Sequence, residues 1–157
     1  MNRVLSDDIA KQLKLDALLC FAAYSASHAF SRLYRPLLDK LGLTYPQFIV
    51  MMVLWEHGAT TMKALGEKVM LDSNTLTPLL KKLEAAGFLT RARNKQDERV
   101  LDILPTPKGM AMKLDGQRAA MTLVEATGES IEGIIELQQR LVKARENVAR
   151  YVEKQAA

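Results

Sequence analysis

The alternation of apolar and polar positions along the 157-residue chain predicts a helical protein with one short β interlude. Residues 16–33 read as a helix opened by Asp16 as N-cap, with a start at Ser6 or Asp7 as the alternative. Pro36 is expected to kink or end it, and Leu37–Leu41 to close at Gly42. Thr44-Tyr45-Pro46-Gln47 has the marks of a helix start: a capping Thr, a Pro in the first turn and Gln in the reciprocal capping-box position. That helix is expected to run through Trp55 and stop at Gly58. Thr61 caps the next, with Met62, Leu65 and Val69 on one face. Leu71-Asp72-Ser73 reads as a turn, and Leu76, Leu79, Leu80 and Leu83 as the apolar face of a further helix ending at Gly87.

From Phe88 the spacing changes. Phe88–Arg93 and Arg99–Leu104 read as two strands around a polar tip, Asn94-Lys95-Gln96-Asp97-Glu98. Thr106-Pro107 restarts a helix, which Gly128 interrupts. The last helix, Ser130 to Gln155, repeats apolar residues at Ile134, Leu137, Leu141, Ala144, Val148 and Tyr151 in the alternating spacing of a heptad seam. Such a seam needs a partner, either the chain's own first helix or a second copy. The second copy is the preferred reading.

Two short helices across a tight turn, followed by a basic hairpin, form a winged helix-turn-helix. The expected fold is mainly α with a small β wing. Residues 1–157 are expected to make a single domain, with about 58–106 as its DNA-binding part and 1–43 and 107–157 as a dimerisation region built from the N- and C-terminal helices. The helix Thr61 to Met70 would cross the phosphate backbone. The next would enter the major groove, led by Ser73, Asn74, Thr75 and Thr77, with Lys81 and Lys82 as phosphate anchors. A proline inside a helix costs roughly 3 kcal/mol. The regular helix is therefore expected to start late, near Asn74 or Thr75, leaving Pro78 close to the first turn. Arg91, Arg93, Lys95 and Arg99 make the hairpin basic, and an arginine at its tip suits a narrow minor groove; a solvated turn with Asp97 and Arg99 paired is the alternative. A dimer of this kind places its half-sites about 34 Å apart, so the expected partner is double-stranded DNA with a palindromic operator.

Composition changes this picture little. Hydrophobic residues make 48% of the chain and aromatic ones 6%, which favours helix over sheet. Residues 58–109 hold nine Lys or Arg against six Asp or Glu, three of the chain's net four positive charges. Met1–Asp8 has no secretory pattern, and Phe48–Trp55 is too short to span a bilayer. A lone cysteine excludes an intrachain disulfide and suits a reducing compartment, so the expected location is cytoplasmic. His28 and His57 are isolated, and neither a phosphate loop nor a nucleophile elbow is present. No metal, cofactor or enzymatic activity is expected. Met51, Met52 and Trp55 read as core.

Cys20 follows Asp16 by one helical turn and precedes Tyr24 by one. At a helix N-terminus the dipole favours a thiolate, while Asp16 opposes it. A buried cysteine acting as small apolar filler is the other reading.

Three segments resemble the organic-hydroperoxide-sensing (OhrR-type) branch of the MarR family: Leu19 to Ser27, Tyr34-Arg35-Pro36-Leu37-Leu38, and Leu43-Thr44-Tyr45-Pro46-Gln47. Leu71 to Glu84 is similar to that branch's recognition segment, and Asp97-Glu98-Arg99 to its wing. The likeness reaches to about residue 110. It implies that Cys20 attacks an organic hydroperoxide, becomes a sulfenic acid and so releases DNA. It further implies that Tyr34 and Tyr45 of the partner subunit hydrogen-bond the sulfur, with Tyr24 as local support. The chain departs from the family at Asn74, where glycine is common, and in lacking a second, resolving cysteine. A one-cysteine type is therefore implied, whose oxidised Cys20 meets a low-molecular-weight thiol or over-oxidises. A regulator of the same fold released by a non-covalent ligand is the alternative, and a thiol peroxidase a remoter one.

Overall fold

A computed structural model describes residues 14–156. The alternative helix start at Ser6 or Asp7 and the segment Met1–Asp8 lie outside the described residues. The chain divides into two compact units, Met1–Gly116 and Gln117–Ala157.

In the first unit a 3-10 turn, Leu15–Ala17, precedes α1 (Leu19–Leu41). Asp16 is therefore not the N-cap, as the sequence suggested. Leu18 stands at that position, without a side-chain hydrogen bond. Nor does Pro36 end the helix. It lies inside α1, which continues to a left-handed Gly42 at φ 67°. A proline removes one backbone donor and leaves one carbonyl unserved. On a helix with most of its length exposed, water can serve that carbonyl. Of all α1, only Tyr34 and Leu38 are buried.

α2 (Tyr45–His57) starts as predicted: the Gln47 side-chain oxygen accepts the Thr44 N–H at 2.8 Å, and Pro46 needs no donor in the first turn. Phe48, Val50, Met51, Leu54 and Trp55 are buried on several faces of it, so α2 is the central helix of the core. Leu38 and Leu43, ahead of α2 in the chain, and Leu65, Leu76, Leu80, Leu83, Phe88, Leu89 and Ile103, after it, are buried with these residues. The Trp55 indole N–H donates to the Gly109 carbonyl at 2.7 Å, and Lys113 Nζ donates to the Trp55 carbonyl at 2.9 Å. Gly109 and Gly116 are glycine for steric reasons. A Cβ at the first would run into the Phe88 carbonyl, and at the second into the Trp55 ring.

A strand too short to see in the sequence, β1 (Thr60–Thr61), leads directly into α3 (Met62–Val69), capped by Thr61 accepting from the Ala64 N–H. The chain turns through Met70, left-handed at φ 57°, and enters α4 (Ser73–Ala85). β2 (Leu89–Arg93) and β3 (Leu101–Pro105) pair antiparallel with Arg91 opposite Ile103, and β3 also pairs β1, giving the order β1-β3-β2. The first strand begins one residue later than expected and ends where expected, while the second is shifted toward the C-terminus. Phe88 and Arg99 lie outside them: Phe88 N–H closes the end of α4 by donating to the Leu83 carbonyl, and Arg99 belongs to the turn. Thr106 caps α5 (Pro107–Ala111), which is separate from α6 (Lys113–Thr127) instead of continuous with it.

The second unit takes over within α6, which ends at a left-handed Gly128. α7 (Ile131–Ala156) follows, with the Ser130 hydroxyl accepting the Gly133 N–H at 3.0 Å as its cap. No residue of α7 is buried.

Candidate nucleic-acid interface and thiol site

The recognition helix is set by its first turn. Asp72, read from sequence as part of a turn, is its N-cap: one carboxylate oxygen accepts the Thr75 N–H at 2.8 Å and the other the Thr75 hydroxyl at 3.1 Å. These bonds hold the Asp72 carboxyl below the usual carboxylate range. The helix consequently begins at Ser73, earlier than expected, and Pro78 lies in its interior. The expectation of a late start rested on the proline's cost alone; the Asp72 cap sets the start at Ser73. Thr77 is half-buried, and its hydroxyl donates to the Ser73 carbonyl at 2.7 Å. Ser73, Asn74, Lys81 and Lys82 are exposed.

The predicted basic residues of the wing divide into two sets. Arg91 is engaged: its guanidinium grips Glu84 on α4 at 2.9 Å from Nε and 2.6 Å from Nη2, while its own N–H donates to the other Glu84 oxygen. These charge-assisted bonds, with both guanidinium donors on one Glu84 oxygen, hold the Glu84 carboxyl below its ordinary range and tie the wing to the recognition helix. Arg93 donates to the Glu98 carbonyl at 2.8 Å, bracing the hairpin tip. Lys95 and Arg99 are exposed at that tip. Its shape comes from Asn94. The Asn94 side-chain oxygen accepts the N–H groups of Gln96 and Asp97, and its amide donates to Asp102 at 2.9 Å. Asp97 accepts the backbone N–H of Arg99, so it fixes that residue's backbone and not, as the surface alternative had it, its guanidinium. Lys108 holds the far end of α4 by donating to the Ala86 carbonyl at 2.7 Å from above the Phe88 ring.

Sequence reasoning passed over Asp72, Glu84, Asn94 and Lys108. An aspartate just ahead of an apolar periodic run is a capping signal, and Asp72 could have been found by it. Glu84 meets Arg91 only through the packing of helix on strand, for which no local pattern exists.

At the other end of the unit, Cys20 is exposed at the second position of α1. Tyr24, one turn on, is exposed and packs edge-on against His28 with ring centroids 4.4 Å apart. Tyr34 and Tyr45 lie together, centroids 5.3 Å apart, and Phe48 backs both. Burial, and then the neighbouring Tyr45, push the Tyr34 phenol above its usual value, so it is a neutral donor at physiological pH. The tyrosine pair and Cys20 are not brought together within one chain. Fourteen residues of helix separate Cys20 from Tyr34, about 21 Å at the α-helical rise.

The pattern of the family described as transcriptional regulator SarA/Rot matches residues 32–115. The HTH-type transcriptional regulator TtmR of Methylorubrum extorquens is 54% identical over 99 residues, covering 63% of this chain, which itself spans 51% of TtmR. The organic hydroperoxide resistance transcriptional regulator of Bacillus subtilis is 40% identical over 129 residues, covering 82% of this chain and 88% of that protein. Among solved structures, AbfR of Staphylococcus epidermidis superposes with a TM-score of 0.75 at 32% identity, over 92% of this chain and 97% of its own. AbfR in its reduced form has also been captured bound to DNA. With its helix-turn-helix, three-stranded wing and these relatives, the chain belongs to the SarA/Rot, MarR-type winged-helix transcriptional regulators, in the branch of the organic hydroperoxide resistance regulator.

Proposed function

We propose that this transcriptional regulator is a cytoplasmic, homodimeric repressor that leaves a palindromic operator when an organic hydroperoxide oxidises Cys20. The observation that carries the reading is the exposed thiol at the start of α1, the chain's sole cysteine, in a protein otherwise built as a DNA reader. The thiolate attacks the terminal peroxide oxygen and the O–O bond breaks. Sulfur is oxidised to the sulfenic acid, and the alkoxide leaves and takes a proton to become the alcohol. A low-molecular-weight thiol can then condense with the sulfenic acid, forming a mixed disulfide and water.

The distance along α1 between Cys20 and Tyr34 supports a dimer in which Tyr34 and Tyr45 of the partner subunit donate to the Cys20 sulfur. Exposure supports such a dimer. Leu19 and Tyr24 on α1 are exposed in the chain, and so are Leu137, Leu141, Val148 and Tyr151, which share the heptad spacing of α7; exposed apolar surface of this kind marks an interaction site. Residues 1–43 and 107–157 would supply this interface, and about 58–106 the DNA contacts: Ser73, Asn74, Thr75, Thr77, Lys81 and Lys82 in the groove, Lys95 and Arg99 at the wing tip, with Arg91 and Arg93 supporting the wing. Among the described residues, no single helix is long and apolar enough to cross a membrane.

A gel shift on the gene's own upstream DNA, titrated with cumene hydroperoxide, tests the reading. Wild type is expected to release the fragment while Cys20→Ser holds it. Release of both alike would overturn the thiol switch and favour a non-covalently bound effector.

A further inference from the structure

The leading residues of α4 are not equivalent as readers of DNA, and the structure separates them. At about 100° per residue, the buried Leu76, Leu80 and Leu83 mark the inward side of the helix. The line diametrically opposite passes through Asn74, Pro78 and Lys81, all exposed. Thr75 has committed both its N–H and its hydroxyl to Asp72, and Thr77 its hydroxyl proton to the Ser73 carbonyl. Ser73 offers one hydroxyl, which suits several bases or a phosphate equally, and Lys81 offers a point charge. Asn74 alone presents a donor and an acceptor side by side, and its carboxamide has no hydrogen-bond partner among the described residues. Pro78, one turn further along, has no N–H and places only an apolar ring beside it, so the adjoining turn of the outward line does not compete for the carboxamide.

Resting on the DNA-binding reading above, we propose that Asn74 is the base-specificity residue of the recognition helix and reads one adenine in each half-site. Its side-chain oxygen accepts from adenine N6–H and its Nδ2 donates to N7. This bidentate pair is complementary to adenine in the major groove and to no other base edge there. Asp72 makes the reading possible by taking over Thr75 and fixing where the first turn begins.

The test is selection from a random duplex pool by full-length wild type and by Asn74→Ala, followed by binding to the wild-type consensus carrying 7-deazaadenine at one position. Alanine favours helix, and circular dichroism checks that the variant is folded. Wild type is expected to fix one adenine per half-site. Asn74→Ala is expected to relax that position and no other. The 7-deaza substitution should weaken wild type on the order of tenfold and leave the variant unchanged. An Asn74→Ala pool holding the same adenine equally strictly, or wild-type affinity indifferent to 7-deazaadenine at every consensus adenine, overturns the inference alone. A wild-type pool enriched in no sequence overturns the DNA-binding reading and the inference with it.

Discussion

The Trp55 indole shows how far packing depends on single atoms. It is 3% exposed, its N–H meets the Gly109 carbonyl, and the ring leaves no room for a side chain at Gly116. Trp55→Phe keeps an aromatic ring but leaves a buried carbonyl without its donor, at a cost of about 1–3 kcal/mol. Thermal unfolding should register this as a fall of several degrees, and an unchanged midpoint would mean that water replaces the indole. Among the basic residues, single side chains should separate by role. Arg99→Ala at the wing tip should weaken DNA binding and lower the salt slope by about one if it meets a phosphate. Arg91→Ala should weaken binding with the slope intact, because its guanidinium is spent on Glu84. Equal slopes in the two variants would erase the distinction. The basic character of the wing was legible in the sequence. Which arginines are spent internally was not, since the partner of Arg91 comes from α4 and that of Arg93 is a backbone carbonyl brought near by the fold of the turn.

Between elements, two carboxylates carry the geometry of the reading head: Asp72 fixes where α4 begins, and Glu84 fixes β2 against it. Both are shifted down, so each contributes stability that is present above the ordinary carboxylate value near 4 and lost as pH falls through the lowered folded value. Wild type should therefore lose more thermal stability between about pH 5 and 3 than the double variant Asp72→Asn, Glu84→Gln; parallel curves would count against both contacts. Helices and wing were largely legible because each has a local cause: a capping box at Thr44 and Gln47, a glycine at 42, 58, 87 or 128, a heptad on α7. The misread boundaries are places where local rules conflict. At Pro36 the proline rule argued for a kink or an end, and at Pro78 for a late helix start, yet buried leucines anchor the helix around each, Leu38 in one case and Leu76 and Leu80 in the other. β1 escaped notice because two threonines have no periodicity; only pairing with Ile103 and Asp102 makes them a strand.

At the scale of the whole molecule, the proposed dimer is a quantitative expectation. Leu137→Glu with Leu141→Glu puts two charges in the α7 seam and should convert the protein to a monomer by light scattering, with operator binding lost alongside. A stable dimer in the doubly substituted protein would exclude that seam from the interface. The heptad could be read in the sequence, but whether it meets its own chain or a second copy could not, because both satisfy the same spacing. The length of α1 between Cys20 and Tyr34 carries a consequence for genetics. A sensing site that borrows its thiol from one chain and its phenols from the other can be mended by pairing two defective proteins. Cys20→Ser lacks the sulfur and Tyr34→Phe lacks a phenol, and each homodimer should respond poorly to peroxide. Co-expressed, they would form mixed dimers under the proposed arrangement, in which one site inherits both lesions and the other inherits none, so induction should partly return. Two alleles that rescue each other in one cell, where neither works alone, would show that the unit of sensing is the pair of chains.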